Sequence, residues 1–84
     1  MNRNFELSRH AIEQMSLRGI SLEVVNTILE NPDKIIPDGI GQVIYQSTVL
    51  LSGKNYLVRI FVNSEKTPNL VKTVYRTSKL STYV

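Results

Sequence analysis

The candidate chemistry of this sequence centres on its single histidine, His10. Gln14 and Arg18 follow at successive intervals of four, so a helix here stacks all three side chains along one flank. An imidazole exchanges protons near neutral pH, and a guanidinium can grip a phosphate bidentately. These groups are the minimum for cutting RNA, because one activates the 2′-hydroxyl and the other stabilises the pentacoordinate phosphate. The alternative is a surface histidine at a helix start, which is the commoner role of a lone histidine.

The composition leaves little room for other kinds of chemical site. There are no cysteines, so neither a disulfide nor a thiolate metal site is expected. No second metal ligand stands at a suitable spacing from His10, and no glycine-rich phosphate loop or nucleophile elbow is present. We therefore predict no metal and no cofactor. The net charge of +3 is compatible with a nucleic acid or an acidic protein partner, although many small domains carry it without one.

Further candidates lie in two segments with strand-like alternation. In residues 54–63, the face that carries Val58 is the better core face, which leaves Arg59 as a single charge on the other. In residues 70–77, alternation places Lys72 and Arg76 on one face as a short basic track that can bind RNA. A solvated outer face of an amphipathic sheet explains the same alternation.

Two aromatic residues complete the set of candidates for RNA contact. Tyr75 lies on the opposite face from Arg76 and can stack on a base. Tyr83 belongs to a polar tail, residues 78–84, that also contains Lys79. This tail is either a ligand-facing extension or a frayed end.

The elements that would position the first group of residues are two helices. Ser8 is a good N-cap residue for a helix through His10, and Gly19 suits the left-handed position after its end. Ser21 caps a second helix, and Pro32 ends it because the residue before a proline disfavours helical dihedrals.

The second half of the chain predicts a sheet. Residues 34–41 contain one proline and two glycines, which indicates a loop. Three strands follow at about residues 42–51, 54–63 and 70–77, and Ser52 and Gly53 form a hairpin turn between the first two. We predict one α+β domain over residues 1–84, with two N-terminal helices packed on a three- to four-stranded antiparallel sheet. The uncovered face of the sheet would be left for a partner.

Nothing in the sequence indicates a membrane protein. The longest apolar run, residues 48–51, is far shorter than the roughly 20 residues that a membrane span needs. The first residues carry one positive charge and no apolar stretch, unlike a signal peptide. We therefore expect a cytoplasmic protein with no membrane partner.

Two motifs bear a resemblance to known proteins. The segment SRHAIEQMSLRGIS, residues 8–21, with NPD at residues 31–33, resembles the opening of a widespread family of small bacterial domains of unknown function. The segment VYRTSK, residues 74–79, resembles the second signature of that family. The similarity covers nearly the whole chain, and the family is similar in layout to the RelE/ParE and BrnT group of ribonuclease toxins.

This resemblance implies a toxin that cleaves messenger RNA without a metal, either free or on the ribosome, and that a cognate antitoxin protein restrains. It places His10 and Arg18 in the catalytic site from the helix side, and Arg76 and Lys79 from the sheet side. The family usually has an arginine where this chain has Gln14, so weaker phosphate binding is expected.

Two other functions agree with the same residues. The first is a non-catalytic module whose open sheet face, with Arg59, Lys72 and Tyr75, binds an acidic segment of a partner protein or adds an extra strand at a sheet edge. The second is a ParE-like toxin that acts on a protein target such as a topoisomerase. Only His10 separates the ParE-like toxin from the nuclease, because ribonuclease chemistry can use it and ParE-type binding does not need it.

Overall fold

The two helices begin and end where the sequence predicts. In the computed structural model, which describes residues 4–80, helix α1 spans Arg9–Arg18 and helix α2 spans Leu22–Glu30. The hydroxyls of Ser8 and Ser21 each accept a hydrogen bond from a backbone N–H in the first turn. Gly19 adopts a left-handed conformation after α1, with φ of 63°. Within the described residues, neither helix is long and apolar enough to cross a membrane.

The described chain forms one sheet of five strands in the order β1-β5-β4-β3-β2. The outer strand β1 pairs in parallel with β5, and the other neighbours are antiparallel. The strands have the following bounds: β1 Phe5–Leu7, β2 Lys34–Pro37, β3 Gln42–Leu51, β4 Lys54–Asn63 and β5 Asn69–Thr77.

The predicted three- to four-stranded antiparallel sheet is therefore wrong, although the domain is still α+β. Both missed strands lie at sheet edges. Strand β2 falls in the segment predicted as a loop, where it pairs with β3 from Lys34 opposite Gln46 to Pro37 opposite Val43. An edge strand tolerates a proline because one side of its backbone needs no partner. Strand β1 has only three residues, too few to show alternation, and its parallel pairing with β5 depends on a distant part of the chain.

The core lies between the helices and one face of the sheet. On β4, Val58, Ile60 and Val62 are fully buried, which confirms the predicted core face of that strand. The helices contribute Ala11, Met15, Val25, Ile28 and Leu29 to the same cluster. We call the opposite side of the sheet the second face; it carries Ile44 and Gln46 from β3 and Arg59 and Phe61 from β4.

A β-bulge interrupts the pairing of β4 with β5. Phe61 pairs with Thr73, whereas the next residue, Val62, pairs with Val71. Lys72 is therefore the extra residue and has no partner across the ladder.

The bulge changes which side chains of β5 share a face. Val71 and Val74 are three positions apart and yet both are buried in the core. Lys72 instead donates from Nζ to Oε1 of Gln42 at 2.7 Å, which places it on the second face. Arg76 lies opposite the buried Val58 and so shares the core face. The prediction that Lys72 and Arg76 form a basic track on one face is wrong, because the extra residue shifts the alternation.

Helix α1 runs beside the part of β5 that β1 leaves unpaired. Strand β1 pairs only with residues 69–71 of β5. Immediately after β1, the Ser8 hydroxyl donates to the carbonyl of Lys72 at 2.8 Å and its backbone N–H donates to the carbonyl of Val71 at 3.0 Å. The start of α1 is therefore fixed at the edge of the sheet, from which one flank of the helix can reach the second face.

Candidate functional site

A groove of about 610 Å³ lies between α1 and the second face of the sheet. The spacing of His10, Gln14 and Arg18 correctly predicts that they share a flank, because all three line this groove. We call it the α1 groove. Within the described part of the chain, its lining consists of His10, Gln14, Arg18, Arg59, Phe61, Thr73, Val74 and Tyr75.

Arg18 is held in place from two directions. Its Nε donates to Oε1 of Gln14, one helical turn earlier, at 3.0 Å. Its guanidinium carbon lies 5.0 Å from the centre of the Tyr75 ring, within the range of a cation–π contact. Gln14 therefore does not contribute the charge that the family pattern has at this position, but it orients the charge of Arg18.

Arg59 has the same arrangement on the sheet. Its Nε donates to Oε1 of Gln46 at 3.1 Å, and its guanidinium carbon lies 5.5 Å from the centre of the Phe61 ring. Gln46 and Tyr75 are the residues directly opposite Arg59 on the two neighbouring strands. The ring that contacts Arg18 thus belongs to the cross-strand neighbour of Arg59, and the two arginines flank the same part of the groove.

The groove favours anions. Among the described residues, its lining includes two arginines and no carboxylate. In each arginine a glutamine accepts from Nε, and this acceptor is neutral, so it orients the guanidinium without bringing a negative charge. A guanidinium fork can meet a phosphate through its terminal nitrogens, which is how arginine recognises phosphate in many proteins.

His10 lies in the first turn of α1, where it is exposed at the groove. Imidazole is suited to taking a proton from a hydroxyl or returning it to a leaving group. The groove therefore combines a proton-transfer group with two cations. No group of three or more histidine, aspartate and glutamate side chains converges within residues 4–80 in a way that could hold a metal ion.

The other predicted site residues within residues 4–80 do not line the α1 groove. Arg76 stacks over the ring of Tyr56, at 4.5 Å, on the face opposite Tyr75. Lys79 is exposed beyond the end of β5, and Lys72 lies on the second face but outside the lining. The predicted RNA contact at Tyr83 lies outside the described residues.

The sequence interpretation missed Gln46 and Phe61. A signal for Gln46 was present, because the two-residue turn at Ser52 and Gly53 fixes the register of the hairpin. Counting back from that turn places Gln46 opposite Arg59, where an amide can bind a guanidinium. Phe61 follows from the same strand alternation, two residues beyond Arg59 on the same face.

Fold and site together define a small α+β domain with a basic groove between its first helix and its sheet. The chain belongs to a family described as a domain of unknown function, DUF4258, whose model matches residues 7–76. That match includes both helices and every residue of the α1 groove, whereas Lys79 and Tyr83 lie beyond it. Neither a curated protein nor a solved structure matches the chain.

Proposed function

We propose that this domain binds RNA in the α1 groove and cleaves it without a metal, as the toxin of a type II toxin-antitoxin system. The observation that carries the proposal is the convergence of His10 with Arg18 and Arg59 in one groove whose described lining includes no carboxylate. The proposal also draws on the resemblance given above, in which the layout of the small-domain family, and not its sequence motifs, is similar to that of the RelE/ParE and BrnT toxins. The substrate would be messenger RNA in the cytoplasm, free or on the ribosome.

The proposed reaction is an internal transesterification. The imidazole of His10 takes the proton of a 2′-hydroxyl, and that oxygen attacks the adjacent phosphorus. The P–O bond to the 5′-oxygen breaks, and this oxygen leaves with a proton from solvent. The products are a 2′,3′-cyclic phosphate and a 5′-hydroxyl. Arg18 and Arg59 stabilise the extra negative charge on the phosphate as the transition state forms.

Arg76 and Lys79, which the resemblance places in the site from the sheet side, have a smaller role in this proposal. Arg76 lies on the other face of β5 from Tyr75, and Lys79 follows the end of that strand. Lys72, held by Gln42 on the second face, can extend the binding surface along the RNA backbone. The proposal therefore assigns phosphate binding to Arg18 and Arg59 and leaves Arg76 outside the groove.

The decisive experiment measures cleavage of end-labelled RNA by the purified domain in the presence of a chelator. We expect cleavage by wild type and a loss of about 100-fold or more in His10→Ala, the usual size of a general-base effect. Arg9→Ala is the matched control, because Arg9 is exposed on the same helix and does not line the groove. Intact RNA with wild type, or equal rates for wild type and His10→Ala, would refute the nuclease.

Expression in cells tests the toxin role separately. Wild type should arrest growth with decay of messenger RNA, His10→Ala should not, and the product of an adjacent antitoxin gene should restore growth. DNA-damage signalling without RNA decay would instead indicate a ParE-like action on a protein target.

The second candidate is a non-catalytic module that binds an acidic protein segment. The observation in its favour is that Gln14 is neutral and orients Arg18, an arrangement that serves binding as well as catalysis. This function predicts salt-sensitive binding of an acidic partner by both wild type and His10→Ala, with RNA left intact. An antitoxin that covers the groove would use the same charges, so the cleavage assay is what separates the two functions.

A further inference from the structure

We propose that Gln46 and Gln14 are positioning residues, which hold the guanidinium groups of Arg59 and Arg18 ready for two phosphates of one nucleic-acid strand. This inference rests on the proposed function for its ligand. The orientation of the two arginines is a property of the unbound protein and can be measured without RNA.

Gln46 is buried at a position in β3 where the fold itself needs no amide. Its side chain is 2% exposed, in the middle of a central strand. Burying an amide costs free energy unless it is hydrogen-bonded, and a branched apolar residue suits such a strand better. The backbone carbonyl of Gln46 accepts from the N–H of Asp33, but any residue would supply that bond. The contact that depends on the glutamine side chain is the one to Arg59.

Gln14 repeats the arrangement on a different element. It precedes Arg18 by one helical turn, and its Oε1 accepts from the arginine Nε at 3.0 Å. Two arginines from separate parts of the chain therefore share one arrangement, a glutamine oxygen on Nε and an aromatic ring nearby.

The chemical identity of the acceptor matters. A glutamate in either position would also accept from Nε, but its charge would cancel that of the arginine. A glutamine orients the guanidinium without adding a negative charge beside it. The rings of Tyr75 and Phe61 further restrict the arginine side chains, so less conformational entropy is lost when a phosphate binds. Both features are expected of a preorganised anion site.

The first test measures orientation without RNA. In ¹⁵N-labelled protein, the Nε–H groups of Arg59 and Arg18 should exchange slowly with water because each is hydrogen-bonded. Gln46→Met should accelerate the exchange of Arg59 alone, and Gln14→Met that of Arg18 alone, so each variant is the control for the other. Unchanged exchange in folded variants overturns the inference, whatever the protein does with RNA.

The second test measures binding of a 2′-O-methylated RNA oligonucleotide, which lacks the free hydroxyl needed for cleavage. We expect Gln46→Met to weaken binding by up to about tenfold, because the arginine side chain is then no longer held in the unbound protein and must be immobilised when the phosphate binds. In an Arg59→Ala background the same substitution should have no further effect, because the glutamine acts only through the arginine. An equal loss in both backgrounds would mean a merely structural role and would overturn the inference.

Gln46→Glu separates orientation from charge. This variant should keep the slow exchange of Arg59 Nε–H, because an acceptor remains. It should nevertheless bind the oligonucleotide more weakly, and the slope of the logarithm of affinity against the logarithm of salt concentration should be smaller by about 0.7. Binding as strong as that of wild type would contradict the need for a neutral acceptor. If wild type binds no oligonucleotide while the exchange differences hold, the RNA function fails and the positioning role stands.

Discussion

Arg59 and Arg76 provide a matched pair that tests whether the proposed RNA ligand lies on the second face of the sheet. Both are strand arginines, and each guanidinium lies over an aromatic ring, Phe61 for Arg59 and Tyr56 for Arg76. Substitution of either by methionine removes one positive charge from a chain of net charge +3 and retains a long side chain. The two variants differ in the face that loses the charge, since Arg59 lines the α1 groove and Arg76 does not.

The expected magnitude follows from counterion release. Each phosphate contact on a single strand contributes about 0.7 to the slope of the logarithm of affinity against the logarithm of salt concentration. A fourfold rise in salt should therefore weaken wild-type binding about 2.6-fold more than it weakens Arg59→Met. Arg76→Met should keep the wild-type slope, because its charge lies on the other face.

The assay is fluorescence anisotropy of a 2′-O-methylated oligonucleotide over a salt titration, with thermal melts to confirm that both variants are folded. The reasoning would be refuted by equal slopes for the two variants, or by a reduced slope in Arg76→Met alone. The latter result would place RNA on the face that the VYRTSK motif, residues 74–79, contributes through Arg76.

Three further predictions concern the scaffold that holds the groove. Ile60→Ala should lower the free energy of unfolding by about 2–5 kcal/mol in urea denaturation, because this side chain is fully buried; a loss below 1 kcal/mol would contradict its place in the core. Ser8→Ala should cost about 1–2 kcal/mol, since the hydroxyl both caps α1 and binds the carbonyl of Lys72, whereas Ser16→Ala, on an exposed part of the same helix, is the near-neutral control. Deletion of Lys72 removes only the bulged residue, so the pairing of Tyr75 with Arg59 should stay intact and the chain should fold. Deletion of Val74 should unfold the chain. Similar melting temperatures for both deletion variants would show that the bulge does not set the register.

The sequence predicts the parts of the fold that have a local cause. Serine caps and a terminal glycine delimit the helices, and the alternation of β3 and β4 is long enough to define their bounds. The edge strands β1 and β2 have no such pattern, because each is short and is defined by the strand it pairs with. The bulge at Lys72 likewise leaves no local mark, since one extra residue changes the facing of a strand only relative to its partner.

The candidate site likewise has residues whose positions the sequence predicts and a residue whose position it does not. Helical spacing alone brings His10, Gln14 and Arg18 to one flank, which the structure confirms. Strand alternation predicts the sheet face on which Arg59 lies, and hairpin register predicts its contact with Gln46. The position of Arg76 depends on which face of β5 the helices cover, and sequence periodicity could not supply that information.

The α1 groove can form only when α1 packs beside β5. Ser8 binds the carbonyl of Lys72, a residue 64 positions away, and Arg18 on the same helix contacts Tyr75 on β5. During synthesis α1 emerges before β5. Contacts between distant parts of a chain also form slowly. Under the proposed nuclease function, this order means that the ribosome making the protein carries no assembled groove until β5 has been translated.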